Sequence, residues 1–347
     1  KHAVRHKHAK LIVIDPRTIW LTQIADVHLQ LRAGTNIALL NGILRVLIEE
    51  NLIDAAFIAA RTSGFEATRK IVMDHYDLDR VQSITGVAAE DIRQAARLYA
   101  NAKNSMIIYG LGITQHIHGS SNVMAIANLA LATGHIGRKH AGVCPLRGQN
   151  NVQGACDVGA LPNVLPGYQR VDDPAVIAKF SQRWQVALPT STGLKSCQMI
   201  HGAKSGQVKG LYLIAEDPVQ TDPDSHLVEQ AMGNLDCLVV QELFFTRTAS
   251  FAHVILPAAC ALEKEGTFTN TDRRIQHFKP VLAAPGECRT DMDIICDLAG
   301  RMGYAMHYDG PAQVWEELAE LSPILYGVRY ARLTAGEQLV WPCPTQN

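Results

Sequence analysis

SMIIYGLG, residues 105–112, settles the class of fold. A short apolar run closes at Tyr109 and gives way to Gly110-Leu111-Gly112, which is how a buried strand stops at a tight turn. A helix is expected beyond it, at about 119–133. Working outward, the same unit recurs. Leu11–Ile14 reads as a strand that stops at Asp15-Pro16-Arg17, and Val27–Leu31 as one that stops at Ala33-Gly34-Thr35-Asn36. Helical periodicity follows at about 36–50, 54–61, 64–76 and 88–102. In the C-terminal half, helices are expected at about 174–184 and 192–204, and a strand over 208–214 stops at Ala215-Glu216-Asp217-Pro218. A helix at 224–232, strands at 237–241 and 253–256, short strands near 266–269 and 274–277, and helices near 291–303 and 311–320 complete the chain. Strands alternating with helices imply an α/β fold, here two doubly wound, Rossmann-like domains with mostly parallel sheets. We place them at 1–145, with the beginning of the domain lying upstream, and at 146–347. In such sheets ligands sit at the carboxyl ends of the strands, and those ends carry the unusual turns.

Composition narrows the classes of function. Lys and Arg number 32 against 33 Asp and Glu, for a net charge of −1. That balance gives no electrostatic case for nucleic acid or an anionic membrane. No apolar run approaches the ~20 residues that span a bilayer, so no direct membrane insertion is expected. The 8 cysteines are scattered, with no C-x-x-C pair. This argues against an iron–sulfur cluster held by this stretch and for reduced, buried thiols such as Cys237 and Cys296 in a cytoplasmic protein. The 14 histidines include close pairs, His116/His118 among them, but no carboxylate or cysteine completes a zinc site, and surface positions are expected.

Three features carry chemistry. HAGVCPLRGQNNVQG (140–154) lacks both strand and helix periodicity and predicts a donor-rich loop. The Arg147 fork beside the Gln149, Asn150, Asn151 and Gln153 amides suits a small carboxylate or a phosphate; the same composition also serves a polar connection that satisfies itself. Gly110-x-Gly112 is half of a dinucleotide fingerprint, with Gln115 standing where the third glycine belongs; a plain strand–helix turn is the other reading. Asp15-Pro16-Arg17 and Glu216-Asp217-Pro218 sit in equivalent places, each just after a strand. Proline turns the chain there and leaves a carboxylate exposed at the sheet's edge. One such turn is ordinary; two in consecutive units suggest binding of two similar ligands. Glu263, Glu265, Asp272, Arg273 and Arg274 form a mixed charge cluster read as a solvated hairpin, with no catalytic role.

These blocks resemble the molybdopterin oxidoreductases, and within them the large subunits of formate dehydrogenases. The resemblance rests on LIVIDPR (11–17), LRAGTNIALLNG (31–42), ITGV (84–87) with IRQAAR (92–97), YGLGITQHIHG (109–119), HAGVCPLRGQNNVQGACDVGALPNVLPGYQ (140–169), AEDPVQTDPD (215–224), VVQELFFTRTASFAHVILPA (239–258) and EKEGTFTNTDRRIQ (263–276). They occur in the family's order and cover nearly all of 9–345.

The resemblance implies a bis-molybdopterin guanine dinucleotide cofactor with molybdenum or tungsten, and a 4Fe-4S cluster ligated outside this stretch. The metal's cysteine or selenocysteine ligand would also lie upstream, so the chain alone is expected to be inactive. Arg147 would hold formate for oxidation to carbon dioxide, and Gln149 and Asn150 would anchor the loop near a pterin. Asp217 and Thr221 would serve one guanine; Asp15, Arg17 and the Gly34–Asn36 turn (Gly34, Thr35, Asn36) the other. Pro16, Gly110, Leu111, Gly112, Gln115, Glu216, Gln241 and Asp291 complete the expected cofactor contacts. Ala215 departs from the family's usual glycine. Electrons would pass to iron–sulfur, flavoprotein or hydrogenase subunits. A nitrate reductase-type enzyme and a non-catalytic electron-transfer scaffold resembling a complex I subunit are the alternatives.

Overall fold

The computed structural model describes residues 2–346. The chain divides after Gly148 into two compact units. In the first, α1 (His2–Lys7) precedes β1 (Ile12–Ile14), a 3-10 turn at Trp20–Ile24, and β2 (Val27–Leu29), which runs parallel to β1 with Ile14 opposite Leu29. Five helices follow: α2 (Asn36–Glu49), α3 (Ala55–Arg61), α4 (Phe65–His75), α5 (Leu78–Thr85) and α6 (Ala89–Asn101). Then come β3 (Met106–Tyr109), α7 (Leu111–Thr114), α8 (Gly119–Ala132) and β4 (Gly142–Pro145), the last parallel to β3 with Tyr109 opposite Pro145.

Helix α2 organises this unit. Leu39, Leu40, Ile43, Leu44, Val46 and Leu47 are all buried, so it is apolar around most of its circumference and packs against α4, α5, α6 and α8. Burying each such side chain contributes about 1.5–3 kcal/mol. Gly42 lets α5 come close, since a Cβ there would stand 2.8 Å from Val81.

The strand β4 corrects the sequence reading, in which 140–154 was loop throughout. Gly142-Val143-Cys144-Pro145 has no alternation because it is half-buried at every position, and its Val143 packs on the core. A short helix, Val152–Asp157, also falls in that stretch.

That helix, α9 (Val152–Asp157), opens the second unit. A small antiparallel hairpin, β5 (Val164–Leu165) and β6 (Gln169–Arg170), leads to α10 (Pro174–Trp184) and α11 (Ser196–Ser205). Next come β7 (Gly210–Ile214), α12 (Pro218–Thr221), α13 (Ser225–Gly233), β8 (Cys237–Glu242), a 3-10 turn at Thr248–Phe251 and β9 (Val254–Pro257). The three strands form one parallel sheet in the order β7-β8-β9. An antiparallel pair, β10 (Gly266–Thr269) and β11 (Ile275–Phe278), precedes α14 (Asp291–Arg301), α15 (Pro311–Leu321) and α16 (Tyr330–Thr334). Two cores hold this unit. One lies under the parallel sheet around Met232, Leu238 and Val240; the other gathers Ile275, Trp315, Leu325 and Tyr330.

Two expectations are corrected here. Cys237 is exposed rather than buried. It begins β8, and strand alternation turns Leu238, fully buried, to the core instead. The charge cluster at 263–274 does form a hairpin, but Glu265 is not a solvated charge. It accepts hydrogen bonds from His277 Nε2 at 2.8 Å and the Tyr330 hydroxyl at 2.9 Å, tying the hairpin to α16. Those two bonds hold its carboxyl below the usual carboxylate range. Among the described residues no helix is long and apolar enough to cross a membrane.

The first unit also carries a buried titratable ring. His135, just beyond α8, is 2 % exposed, and burial, reinforced by the Arg138 charge, holds it below its ordinary value. Arg138 Nη2 donates to His135 Nδ1 at 2.6 Å, which keeps that nitrogen unprotonated. An unfolded histidine takes up a proton near pH ~6.5. The stability contributed by the neutral ring is therefore complete above that value and is lost as pH falls through it. Urea midpoints at about pH 7.5 and about pH 5.5 should show wild type losing more stability than His135→Gln; equal losses would remove the ring from the pH response.

Candidate cofactor and substrate site

Parallel pairing carries the polar turns of the first unit to carboxyl strand ends. After β1, Asp15 Oδ1 accepts the Arg17 N–H at 2.8 Å, an Asx turn that leaves the Arg17 side chain 79 % exposed. The turn's carbonyls are braced by the next strand: His28 Nε2 lies 3.0 Å from Asp15 O, and the Gln30 amide donates to Pro16 O at 3.1 Å. After β2, Gly34 takes φ +86° with open space where a Cβ would be, so glycine is there for its backbone. Thr35 Oγ1 donates to Arg32 O at 2.6 Å, and Asn36, buried, opens α2.

His116 joins two of these turns. Its Nε2 lies 2.9 Å from Gly112 O and 3.4 Å from Asn36 Nδ2, donating to the first or accepting from the second according to its tautomer, so the ring stands between the 33–36 and 110–112 turns. The sequence reading left His116 as a surface histidine, since nothing local signals a partner 80 residues away. Gly119 was also missed. A Cβ there would stand 2.0 Å from Thr114 O, and Asn122 Nδ2 donates to Ile113 O at 2.9 Å, so the start of α8 presses on the back of the 110–115 turn.

The β3–β4 pairing adds the fourth turn. The Leu146 N–H donates to Tyr109 O at 2.7 Å. A Cβ on Gly110 would be 3.8 Å from Leu146 O, and one on Gly148 would be 4.0 Å from Leu111 Cδ1. Residues 110–112 and 146–148 therefore run side by side. Leu111, Gly112, Gln115 and Arg147 are exposed there. Arg147 makes no hydrogen bond or ion pair among the described residues. Its charge reaches Tyr109, whose hydroxyl is raised by burial and partly drawn back by Arg147. Two surface hollows of this unit, of about 480 and 540 Å³, are lined by other residues.

The second unit sorts the remaining amides. Gln149 and Asn150 are exposed. Asn151, at φ +59°, accepts the Thr269 N–H on Oδ1 at 2.9 Å, and Gln153 donates to Asp157 at 2.8 Å. Asp157, 2 % exposed, also accepts from Tyr168 at 2.8 Å and Trp341 Nε1 at 2.6 Å. Two of the four side-chain amides read from the loop are thus spent on anchoring its C-terminal side, Asn151 as an acceptor and Gln153 as a donor.

At the carboxyl end of β7, the expected exposed carboxylate of Asp217 is half-buried instead. Its Oδ1 accepts both the backbone N–H of Thr248 at 2.9 Å and the Thr248 hydroxyl at 2.5 Å. The strand ends at Ile214 and Pro218 opens α12, but the Asp217 carboxylate turns inward to hold the 3-10 turn. Thr221 donates to Glu216 Oε1 at 2.7 Å. At the end of β8, fully buried Gln241 donates to Asp291 Oδ1 at 2.6 Å. Lys264 and Tyr212, which sequence reading did not single out, complete that group through Asp291 and Gln241.

This arrangement fits a chain of known kind. The model of the molybdopterin oxidoreductase family matches residues 1–301, and the chain belongs to that family. It is 48 % identical over 345 residues to formate dehydrogenase H of Escherichia coli (strain K12), covering 99 % of this chain and 48 % of that protein. It is 45 % identical over 346 residues to the F420-dependent formate dehydrogenase subunit alpha of Methanocaldococcus jannaschii, covering 99 % of this chain and 50 % of the relative. The chain thus spans about half the length of the curated relatives it matches. Among solved structures, acetylene hydratase from Pelobacter acetylenicus superposes with a TM-score of 0.74 at 21 % identity, over 95 % of this chain and 48 % of that one, a likeness of fold.

Ala215 occupies a backbone position that glycine would adopt without strain. It takes φ +54°, a left-handed conformation, and its N–H donates to Gln241 O at 2.9 Å. A Cβ is strained there. Ala215→Gly should raise stability by about 0.5–1 kcal/mol in urea unfolding; a loss would show that the Cβ makes compensating contacts.

Proposed function

We propose that this chain forms the cofactor-holding and formate-binding part of a formate dehydrogenase that uses a bis-molybdopterin guanine dinucleotide with molybdenum or tungsten. The observation that carries the reading is Arg147, exposed and unpaired at a carboxyl strand end beside a glycine turn, in a chain whose relatives at 45–48 % identity are named formate dehydrogenases.

The residues present fit such a cofactor. Open space at the Cβ positions of Gly34 and Gly112 lets a bulky ligand approach the backbone. Around it the first unit offers Asp15, Pro16 and Arg17, the Gly34-Thr35-Asn36 turn, Gly110, Leu111 and Gln115. Arg17, whose side chain is largely exposed and touches Asp15 only through Nε at 3.5 Å, suits a pyrophosphate. In the second unit Glu216, Asp217, Thr221, Gln241 and Asp291 would hold the guanosine part of a second dinucleotide, and Gln149 and Asn150 would reach a pterin. When bound, the metal–pterin group supplies the acceptor for two electrons.

Formate loses a proton and two electrons in becoming carbon dioxide, and the chain's part in this is positioning. The Arg147 guanidinium offers two parallel N–H donors that match the two carboxylate oxygens. A fork bound at both oxygens fixes the plane of formate and points its C–H bond away from the arginine. Water has no comparable hold on the anion's direction. Electrons would leave to an iron–sulfur cluster ligated by other residues of the protein and then to an electron-transfer subunit. Eight free thiols suit a reducing, cytoplasmic setting.

Arg147→Lys replaces the fork with a point charge, so kcat/KM for formate should fall by about 100-fold. Steady-state kinetics on the metal-loaded protein check this. Unchanged turnover would remove Arg147 from the reaction, and a wild-type protein that does not oxidise formate at all would overturn the reading itself.

A further inference from the structure

Helix α9 fully buries no apolar side chain. Its buried residues are Gly154 and Asp157, and six residues are too few for a helix to hold itself. Bonds at its two ends place it. At the first, Asn151 Oδ1 accepts the Thr269 N–H at 2.9 Å. At the last, Asp157 accepts from the Tyr168 hydroxyl at 2.8 Å and from Trp341 Nε1 at 2.6 Å, one on each carboxylate oxygen. Its carbonyl also takes the Gly167 N–H at 2.8 Å. Apolar contact has no preferred direction, whereas bonds to a carboxylate do.

The two donors are held in unusual ways. Tyr168 takes φ +59°, a left-handed backbone that is strained for a bulky side chain. It follows Gly167 at φ +77° in the β5–β6 turn, where glycine or asparagine would serve the backbone better. The side chain must therefore account for the residue, and what it does is reach Asp157. The turn has no slack, since a Cβ on Gly167 would stand 2.2 Å from Ser322 Oγ. Burial, then the bond to Asp157, pushes the Tyr168 hydroxyl well above its ordinary value, so it stays a donor. The Trp341 indole N–H can only donate. Its ring lies 5.9 Å from that of Tyr168 and 5.2 Å from the guanidinium of Arg273, itself left-handed at φ +67°. Backbone outliers gathered about one carboxylate point to a function that the surrounding fold sustains.

Helix α9 continues directly from the stretch that carries Arg147, Gln149 and Asn150, all exposed. Only about 14 Å of extended backbone separates Arg147 from Asn151, so a shift of α9 is passed straight along the chain. Gly148 adds no stiffness of its own. Resting on the function proposed above, we infer that Tyr168 is a positioning residue for formate binding: through Asp157 it fixes α9, and with it the stretch that presents Arg147. A loosened stretch occupies the binding arrangement for less of the time, which weakens capture, while formate at saturation restores that arrangement. KM therefore carries the effect and kcat does not.

The test is steady-state kinetics with formate on the full-length, metal-loaded protein, alongside hydrogen exchange of residues 147–153 and metal content per chain. Tyr168→Phe keeps the ring and drops the hydroxyl. Its KM should rise about fivefold with kcat within about twofold of wild type. Amide exchange over 147–153 should quicken, and metal content should not change. An unchanged KM or unchanged exchange overturns the assignment while leaving the function reading intact, and so does a loss of activity that only follows lost metal. A wild type that does not oxidise formate overturns that reading and this assignment with it. If Tyr168→Phe does not fold, Trp341→Phe removes the bond to Asp157 Oδ2 and should shift KM and exchange in the same sense; no shift counts against the assignment.

Discussion

Parallel pairing of adjacent strands is the constraint from which the rest follows. Parallel neighbours finish at the same end, so each turn that leaves a strand is delivered to one edge of its sheet. In the first unit this sets residues 110–112 beside 146–148, through the Tyr109–Pro145 register. In the second it sets Gln241 level with Ile214 and hence beside the 215–218 turn. No side chain is needed to bring these segments together. Side chains then decide which polar groups the fold consumes and which it leaves for a ligand.

That division is visible residue by residue. Asp15 and Asp217 stand at equivalent turns, yet each spends an oxygen within the fold, one on Arg17 and the other on Thr248. Asn151 and Gln153 are consumed as well, whereas Arg17 and Arg147 keep their guanidinium groups in solvent. An exposed arginine adds almost nothing to stability, so neither is explained by folding. On the proposed function, Arg17 would meet a phosphate and Arg147 a carboxylate.

Legibility in the sequence followed the range of the interaction. The turns were readable because glycine and proline act on their own backbone: Gly34 is left-handed, and Pro218 opens α12. Long amphipathic helices such as α6 were readable from periodicity within one segment. β4 was not, because four residues half-buried at every position carry no alternation. Its partner strand lies over thirty positions earlier, and only the pairing makes it a strand. His116, Thr248 and Lys264 were missed for the same reason, since each acts on a residue distant in sequence. For Asp217 the local rule correctly ended the strand and wrongly predicted an exposed carboxylate. Proline governs the backbone, and the Thr248 donors govern where the side chain turns.

Two cations, one in each unit, differ in a way their chemistry explains. Arg147 is unpaired and exposed, which suits a group that must meet a small, exchanging anion: a guanidinium already engaged would have to break a bond at each turnover. Lys264 is paired with Asp291 and partly enclosed, and that pair sits on fully buried Gln241. A ligand held permanently needs a fixed pattern of donors and acceptors, and a pattern stays fixed only if the groups that bear it have no alternative partners. In the Tyr212–Gln241–Asp291–Lys264 chain, Gln241 meets that condition, since it is fully buried and both ends of its amide are bonded.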